Sequence, residues 1–165
     1  MLDRRQFLTR LAAAAPLAAV AGAAMARPAA AHADGVYICQ GEGYDALFTW
    51  RDDRLCTGDG YDAHLNLDDG RIYEGESTNR LWTVRDIGSG VVLYPGDGHD
   101  GTHMLREGTY ITTRDGYDAL WTMRDASSKI YVCQGDGYDA AYTVRNGHLT
   151  PTEWFATLLA VGALS

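Results

Sequence analysis

Gly135-Asp136-Gly137-Tyr138-Asp139-Ala140 is the stretch whose reading decides the fold. Gly58-Asp59-Gly60-Tyr61-Asp62-Ala63 repeats it letter for letter, and Gly41-Glu42-Gly43-Tyr44-Asp45-Ala46 exchanges one acid for the other. Arg114-Asp115-Gly116-Tyr117-Asp118-Ala119 changes only the first residue. Gly96-Asp97-Gly98-His99-Asp100-Gly101 and Gly75-Glu76-Ser77-Thr78-Asn79-Arg80 are worn copies. Aligned on this motif the chain falls into six units, with one equivalent position at residues 39, 56, 73, 94, 112 and 133 and steps of 17, 17, 21, 18 and 21. Each copy of such a repeat is one supersecondary unit that buries a core only against its neighbours.

Every unit carries two turn signals. One is the motif itself; the other follows an Arg or Asp, as at Asp69-Gly70 and Asn146-Gly147. Acid-Gly and Asn-Gly pairs suit tight hairpin turns because glycine takes a positive φ without a steric cost. Two turns per unit leave two strands of roughly five or six residues, so six units predict twelve short antiparallel strands. The alternation agrees. In the second strand of each unit one position reads Phe48, Leu65, Trp82, His103, Trp121, Tyr142, and two residues on come Trp50, Leu67, Val84, Leu105, Met123, Val144. Between and after them lie Thr49, Asn66, Thr83, Met104, Thr122, Thr143 and Arg51, Asp68, Arg85, Arg106, Arg124, Arg145. This is period two, apolar on one face and Thr/Arg on the other.

An open array has atypical terminal repeats, which cap the stack. Here the first and last units are the best match: Val36 to Ala46 and Ile130 to Ala140 share eight of eleven positions. Ends that look like interior units are expected to meet, which also removes the free sheet edges. The tail supplies a filling. Thr150-Pro151-Thr152-Glu153 is a helix start, with a Thr N-cap, proline at the first position and Glu three residues after the cap. From Pro151 to Ala163 the chain carries Trp154, Phe155, Leu158, Leu159 and Val161 and no charge after Glu153, and a helix apolar all round is a buried one. The expectation is an all-β domain, six β-hairpin repeats closed into a twelve-stranded barrel or ring around a C-terminal apolar helix; an open hairpin solenoid or a propeller-like ring is the alternative. The boundaries are 34–149 for the hairpins and 150–165 for the helix, in one domain.

A twelve-stranded closed barrel skewered by an apolar C-terminal helix resembles the tubby-like fold of tubby proteins and phospholipid scramblases, and is similar to the small bacterial hairpin-repeat domains called β-flowers. The resemblance covers residues 36 to 163 and implies the fold alone. No motif of those families is matched residue by residue, so none of their sites is carried over.

Asp3-Arg4-Arg5-Gln6-Phe7-Leu8, an Ala-rich stretch and then Ala31-His32-Ala33 resemble a twin-arginine export signal with its small-x-small cleavage site. Residues 1–33 are expected to be removed before Asp34, which places the mature protein in the periplasm or outside the cell. The whole chain has 14 basic and 22 acidic residues, net −8; losing four arginines and Asp3 leaves 10 against 21, net −11. Such a domain repels nucleic acid and anionic membrane surfaces. No other stretch approaches the about 20 apolar residues of a membrane-spanning helix, so no membrane insertion of the mature domain is expected.

Four constellations bear on function. The turns place Tyr44, Tyr61, His99, Tyr117 and Tyr138 in one slot, beside Asp45, Asp62, Asp100, Asp118 and Asp139. An aromatic face next to an acid suits a sugar, the ring stacking on C–H bonds while the carboxylate accepts from hydroxyls, and repetition makes such recognition multivalent. A neutral glycan or envelope component is the ligand class this points to; tyrosines that only stabilise the turn are the plainer reading.

The same carboxylates resemble part of a calcium-binding nonapeptide. Equivalent turns, however, lie two strands apart, about 9.6 Å at ~4.8 Å per strand, and calcium wants 6–8 oxygens. Aspartates capping their own turns, with the repeated arginines as partners, are expected instead, and no cofactor motif is visible. Cys39 and Cys133 share a slot with Cys56, but the same separation opposes a disulfide, so free small side chains are expected. His99, Asp100 and His103 in the divergent fourth unit define a rival reading as a small hydrolase, and an inhibitor-like or structural partner of another exported protein is a third. Repeat symmetry without a distinguished carboxylate pair points away from catalysis.

Overall fold

The computed structural model describes residues 35–164. The expected export signal lies outside the described residues. Twelve strands follow in order: β1 (Val36–Gln40), β2 (Ala46–Arg51), β3 (Arg54–Thr57), β4 (Ala63–Asp68), β5 (Arg71–Glu74) and β6 (Arg80–Asp86). Then come β7 (Val91–Pro95), β8 (His103–Arg106), β9 (Tyr110–Thr113), β10 (Ala119–Ala126), β11 (Lys129–Gln134) and β12 (Ala140–Arg145), and after them α1 (Pro151–Ala160). Each strand pairs antiparallel with its neighbours in sequence, and β12 pairs with β1, so the sheet is a closed barrel. The open solenoid is thereby set aside.

Closure follows from the likeness of the end units. Tyr37 to Gln40 register against Arg145 to Tyr142, as Lys129 to Val132 register against Arg145 to Tyr142 on the other side. Thus β12 meets two nearly identical strands. The inward positions Ile38, Trp50, Leu55, Leu65, Ile72, Leu93, Leu105, Ile111, Met123, Val132 and Val144 form one apolar core with the helix. Most odd turns of the hairpins are built on the repeated glycines. Gly135 has φ 58, and Gly137 donates to Gln134 O at 3.1 Å, closing a tight turn. A Cβ on Gly137 would stand 3.0 Å from that same carbonyl, which is why a second glycine recurs there.

The helix is enclosed on all sides. Glu153 to Leu158 are six consecutive buried residues, and at about 100° per residue six positions sample the whole circumference. The capping box expected at its start is present, with Thr150 Oγ1 accepting from Glu153 N at 3.3 Å and Glu153 Oε2 accepting from Thr150 N at 2.6 Å. Two tryptophans of the barrel wall reach the plug: Trp50 Nε1 donates to Thr157 Oγ1 at 2.9 Å, and Trp121 Nε1 to Ala163 O at 3.2 Å. Burial of Trp154, Phe155 and Leu158 contributes about 1.5–3 kcal/mol each. The helix is shorter than expected from the apolar run. It ends at Ala160, because Gly162 at φ 69 reverses the chain and lets Ala163 N return to Leu158 O at 2.8 Å.

Candidate ligand-binding rim

The six motif turns line one end of the barrel. Their order in space is the order of the units, and the sixth is next to the first. The turns are locked from the preceding unit. Thr143 Oγ1, on β12, donates to Gly41 O at 2.5 Å, while Arg145 Nη2 donates to Glu42 O at 2.9 Å and Gly43 O at 3.1 Å. The guanidinium then lies over the Tyr44 ring, 4.2 Å from its centroid. Thr122 and Arg124 hold the next turn in the same way: Thr122 Oγ1 to Gly135 O at 2.6 Å, Arg124 Nη2 to Asp136 O at 3.1 Å, and the guanidinium 4.4 Å from the Tyr138 ring. Thr49 and Arg51 grip Gly58, Asp59 and Tyr61 likewise. At these three junctions the Thr-x-Arg strand therefore clamps the turn of the following unit.

This corrects the partners expected for the arginines. Their donors go to turn carbonyls and their flat faces to tyrosine, and no carboxylate of Asp45, Asp62, Asp100, Asp118 or Asp139 joins them. The ion pairs among the described residues are elsewhere: Arg80–Asp97, Arg54–Glu76 at 3.7 Å, Lys129–Glu42 at 3.8 Å and His148–Asp125 at 4.0 Å. Nor do the motif aspartates cap their turns. The backbone bonds of the two glycines do that, and all five carboxylates stand exposed. A guanidinium fits carbonyls as well as carboxylates because it is a rigid fork of donors with a π-face.

The worn units show what happens when the clamp loses a part. In the fourth unit His99 replaces the tyrosine, and Arg85 swings instead over Tyr94, 4.7 Å from its centroid. Tyr94 occupies the slot that holds cysteine in three other units. The fifth turn begins with Arg114 rather than glycine; Met104 replaces the clamping threonine, and Arg106 still covers Tyr117 at 5.1 Å. Between the second and third units all three parts are missing, with Asn66, Asp68 and Thr78 where Thr, Arg and Tyr belong.

Tyr44, Tyr61, Tyr117 and Tyr138 are 78–87% exposed. One face of each ring rests on a guanidinium and the other is open. His99 is also exposed, without an arginine beneath it. Two grooves lie beside these stacks: one of about 590 Å³ next to Arg51 and Tyr61, and one of about 410 Å³ next to Arg145 and Tyr44. They are the same place in successive units.

Cys39, Cys56 and Cys133 are free and buried. They form the floor of the clamps, opposite Thr143, Thr49 and Thr122 in the ladders. Burial pushes the Cys39 and Cys56 thiols up, against the lowering influence of the neighbouring arginines. A thiol held protonated is a packing group and not a nucleophile. No hydrogen bond or ion pair joins His99, Asp100 and His103. His103 points into the barrel wall with Nδ1 3.0 Å from Thr102 Oγ1, and burial lowers its pKa. Among the described residues no three His, Cys, Asp or Glu side chains gather closely enough to share a metal ion. Comparison of the chain with family models, with curated proteins and with solved structures finds no match.

Proposed function

We propose that the protein is an exported, acidic binding module that recognises a neutral glycan of the cell envelope through its rim, several turns at a time. The observation that carries this reading is the set of four equivalent tyrosine rings, each 78–87% exposed and each fixed from below by a guanidinium. A tyrosine that only closed its turn would lie down on it. These rings stand out, oriented in advance, with an exposed carboxylate next in sequence. Preorganised rings lose little freedom on binding, and tyrosine offers wide contact at a small entropic cost. The net charge of −8 for the whole chain sets the class of ligand: polyanions are repelled, and uncharged polyols are not.

The test is a glycan array followed by calorimetry, with the chain lacking four rings (Tyr44, Tyr61, Tyr117 and Tyr138 all to Ala) as the control. The expected result is binding to an uncharged oligosaccharide that strengthens on a multivalent surface and disappears in the control. Absence of sugar binding by the wild type, or an undiminished response from the control, would refute the reading. N-terminal sequencing of the secreted protein should begin at Asp34 if the export signal is removed as expected.

A further inference from the structure

The clamp ladder has one break, and the larger groove lies beside it. We infer that this groove, between Tyr61 and Asn66 on the outer face of β3 and β4, is the principal seat of the ligand, and that it takes one unit of an uncharged sugar chain. The inference rests on the glycan reading above and narrows it from six turns to one.

Four observations lead there. First, the break leaves the groove open. The equivalent groove at Tyr44 is bounded on its far side by Asp59, whose carbonyl Arg51 holds at 3.3 Å. At the larger groove the counterpart of Asp59 is Glu76, and the residue that would hold it is Asp68. An acid cannot donate to a carbonyl, so Glu76 turns to Arg54 at 3.7 Å. The groove is accordingly larger, about 590 Å³ against 410 Å³, and open to solvent along its length.

Second, a donor in its wall is idle. Arg124 Nε and Arg145 Nε each donate to a turn carbonyl, of Gly137 and Gly43, at 3.3 Å. Arg51 Nε is buried and has no partner. A buried donor without an acceptor is costly to leave so, and it marks the Tyr61 turn as held less firmly than the Tyr44 and Tyr138 turns, free to adjust to a ligand. Third, Asn66 makes no side-chain hydrogen bond, where the threonine of other units would be engaged with a glycine carbonyl. Its amide offers a donor and an acceptor side by side, a match for vicinal hydroxyls.

Fourth, the groove offers no surplus positive charge. Arg51 and Arg54 are offset by Asp52 and Asp53 in the lining, and Glu76 at its edge pairs with Arg54. With planar polar side chains around one Tyr61 ring, the groove presents both donors and acceptors, which selects a polyhydroxylated ligand over a charged one.

Calorimetry on the whole protein with chitotetraose, cellotetraose and maltotetraose decides the matter, with tetragalacturonate as the anionic control. For the neutral probe that binds, Tyr61→Ala and Asn66→Leu should each weaken affinity by about ten-fold, the loss of one stacked ring or a pair of hydrogen bonds. Tyr138→Ala should change it less than about two-fold. The paired change Asp68→Arg with Thr78→Tyr restores the missing arginine–tyrosine stack without removing any groove residue; it should weaken binding while raising the melting temperature. Equal losses for Tyr61→Ala and Tyr138→Ala, with Asn66→Leu silent, would overturn the single seat and leave the multivalent rim standing. No binding of the three neutral probes by the wild type would overturn both, and tighter binding of tetragalacturonate would overturn the ligand class.

Discussion

The sharpest consequence of the clamp is at the closure of the ring. Arg145→Ala removes a guanidinium that donates to Glu42 O at 2.9 Å and to Gly43 O at 3.1 and 3.3 Å, and that stacks 4.2 Å from the Tyr44 ring. The bonds are at the surface, so their net value is about 0.5–1.5 kcal/mol each. The donations to Gly43 share one acceptor and count once. The stack adds about 0.5–1 kcal/mol at an exposed site. The expected loss is therefore about 1.5–4 kcal/mol, read as a lower urea midpoint by fluorescence of the buried tryptophans.

Two comparisons make this a test of mechanism. Arg124→Ala removes the equivalent contacts between the fifth and sixth units, to Asp136 O at 3.1 Å, Gly137 O at 3.3 Å and the Tyr138 ring, and should fall in the same range of about 1.5–4 kcal/mol. Arg145→Lys should recover little, because an ammonium neither forks between two carbonyls nor stacks flat. In a double-mutant cycle, Arg145→Ala and Tyr44→Ala should couple by about 0.5–1 kcal/mol. A lysine variant as stable as the wild type, or zero coupling, would show that charge alone matters and that the clamp as drawn is wrong.

Three further outcomes follow from the structure. Thr157→Val deprives the buried Trp50 indole of its acceptor and should cost about 1–3 kcal/mol, while Thr152→Val, at the helix's outer end, should cost less than half of that in the same urea titration. His103 has a folded pKa below its ordinary 6.5 because it is buried; the unfolded chain then binds the proton first, so stability falls as pH drops below about 6.5. His103→Leu, the residue of the second unit at this slot, should flatten the melting temperature between pH 6.5 and 5; an unchanged slope would refute the assignment. Finally, amide exchange should be fastest for β4 and β5 among the strand pairs, since no clamp spans them, and equal protection around the ring would deny the clamps any part in local stability.

Much of this architecture was legible in the sequence for simple reasons. Period-two alternation fixed which residues face inward, and the likeness of Val36–Ala46 to Ile130–Ala140 announced that the ends meet. What stayed hidden was relational. The repeated arginines were visible, but a sequence shows a charge and not which neighbouring group its donors reach. The aspartates were the obvious partners by sign, whereas the actual ones are carbonyls of the following unit, which carry no side-chain signature. The worn copies held a clue that was readable: Asp68 and Thr78 fail together, as do Met104 and the glycine replaced by Arg114, which marks parts of one device. The helix ends short of its apolar run for a different reason. Apolarity runs on through Ala163, and the glycine at 162 that stops the helix was outweighed by it.

The clamp has a direction. Every unit offers its second strand on one side, Thr-x-Arg in four of the six, and a turn on the other, so each junction is heterologous in the language of oligomers. Six such junctions advance by about 60° each and return to the start, as subunits do in a cyclic hexamer. The difference is that five of the junctions are also covalent and one, between Arg145 and Tyr44, is not. The number of units is then a matter of angle rather than of chain length, and the single uncut polypeptide is a cyclic assembly whose protomers have been strung together. A chain cut between the fifth and sixth units would leave that junction held as the one between Arg145 and Tyr44 already is, by clamp and β-ladder alone.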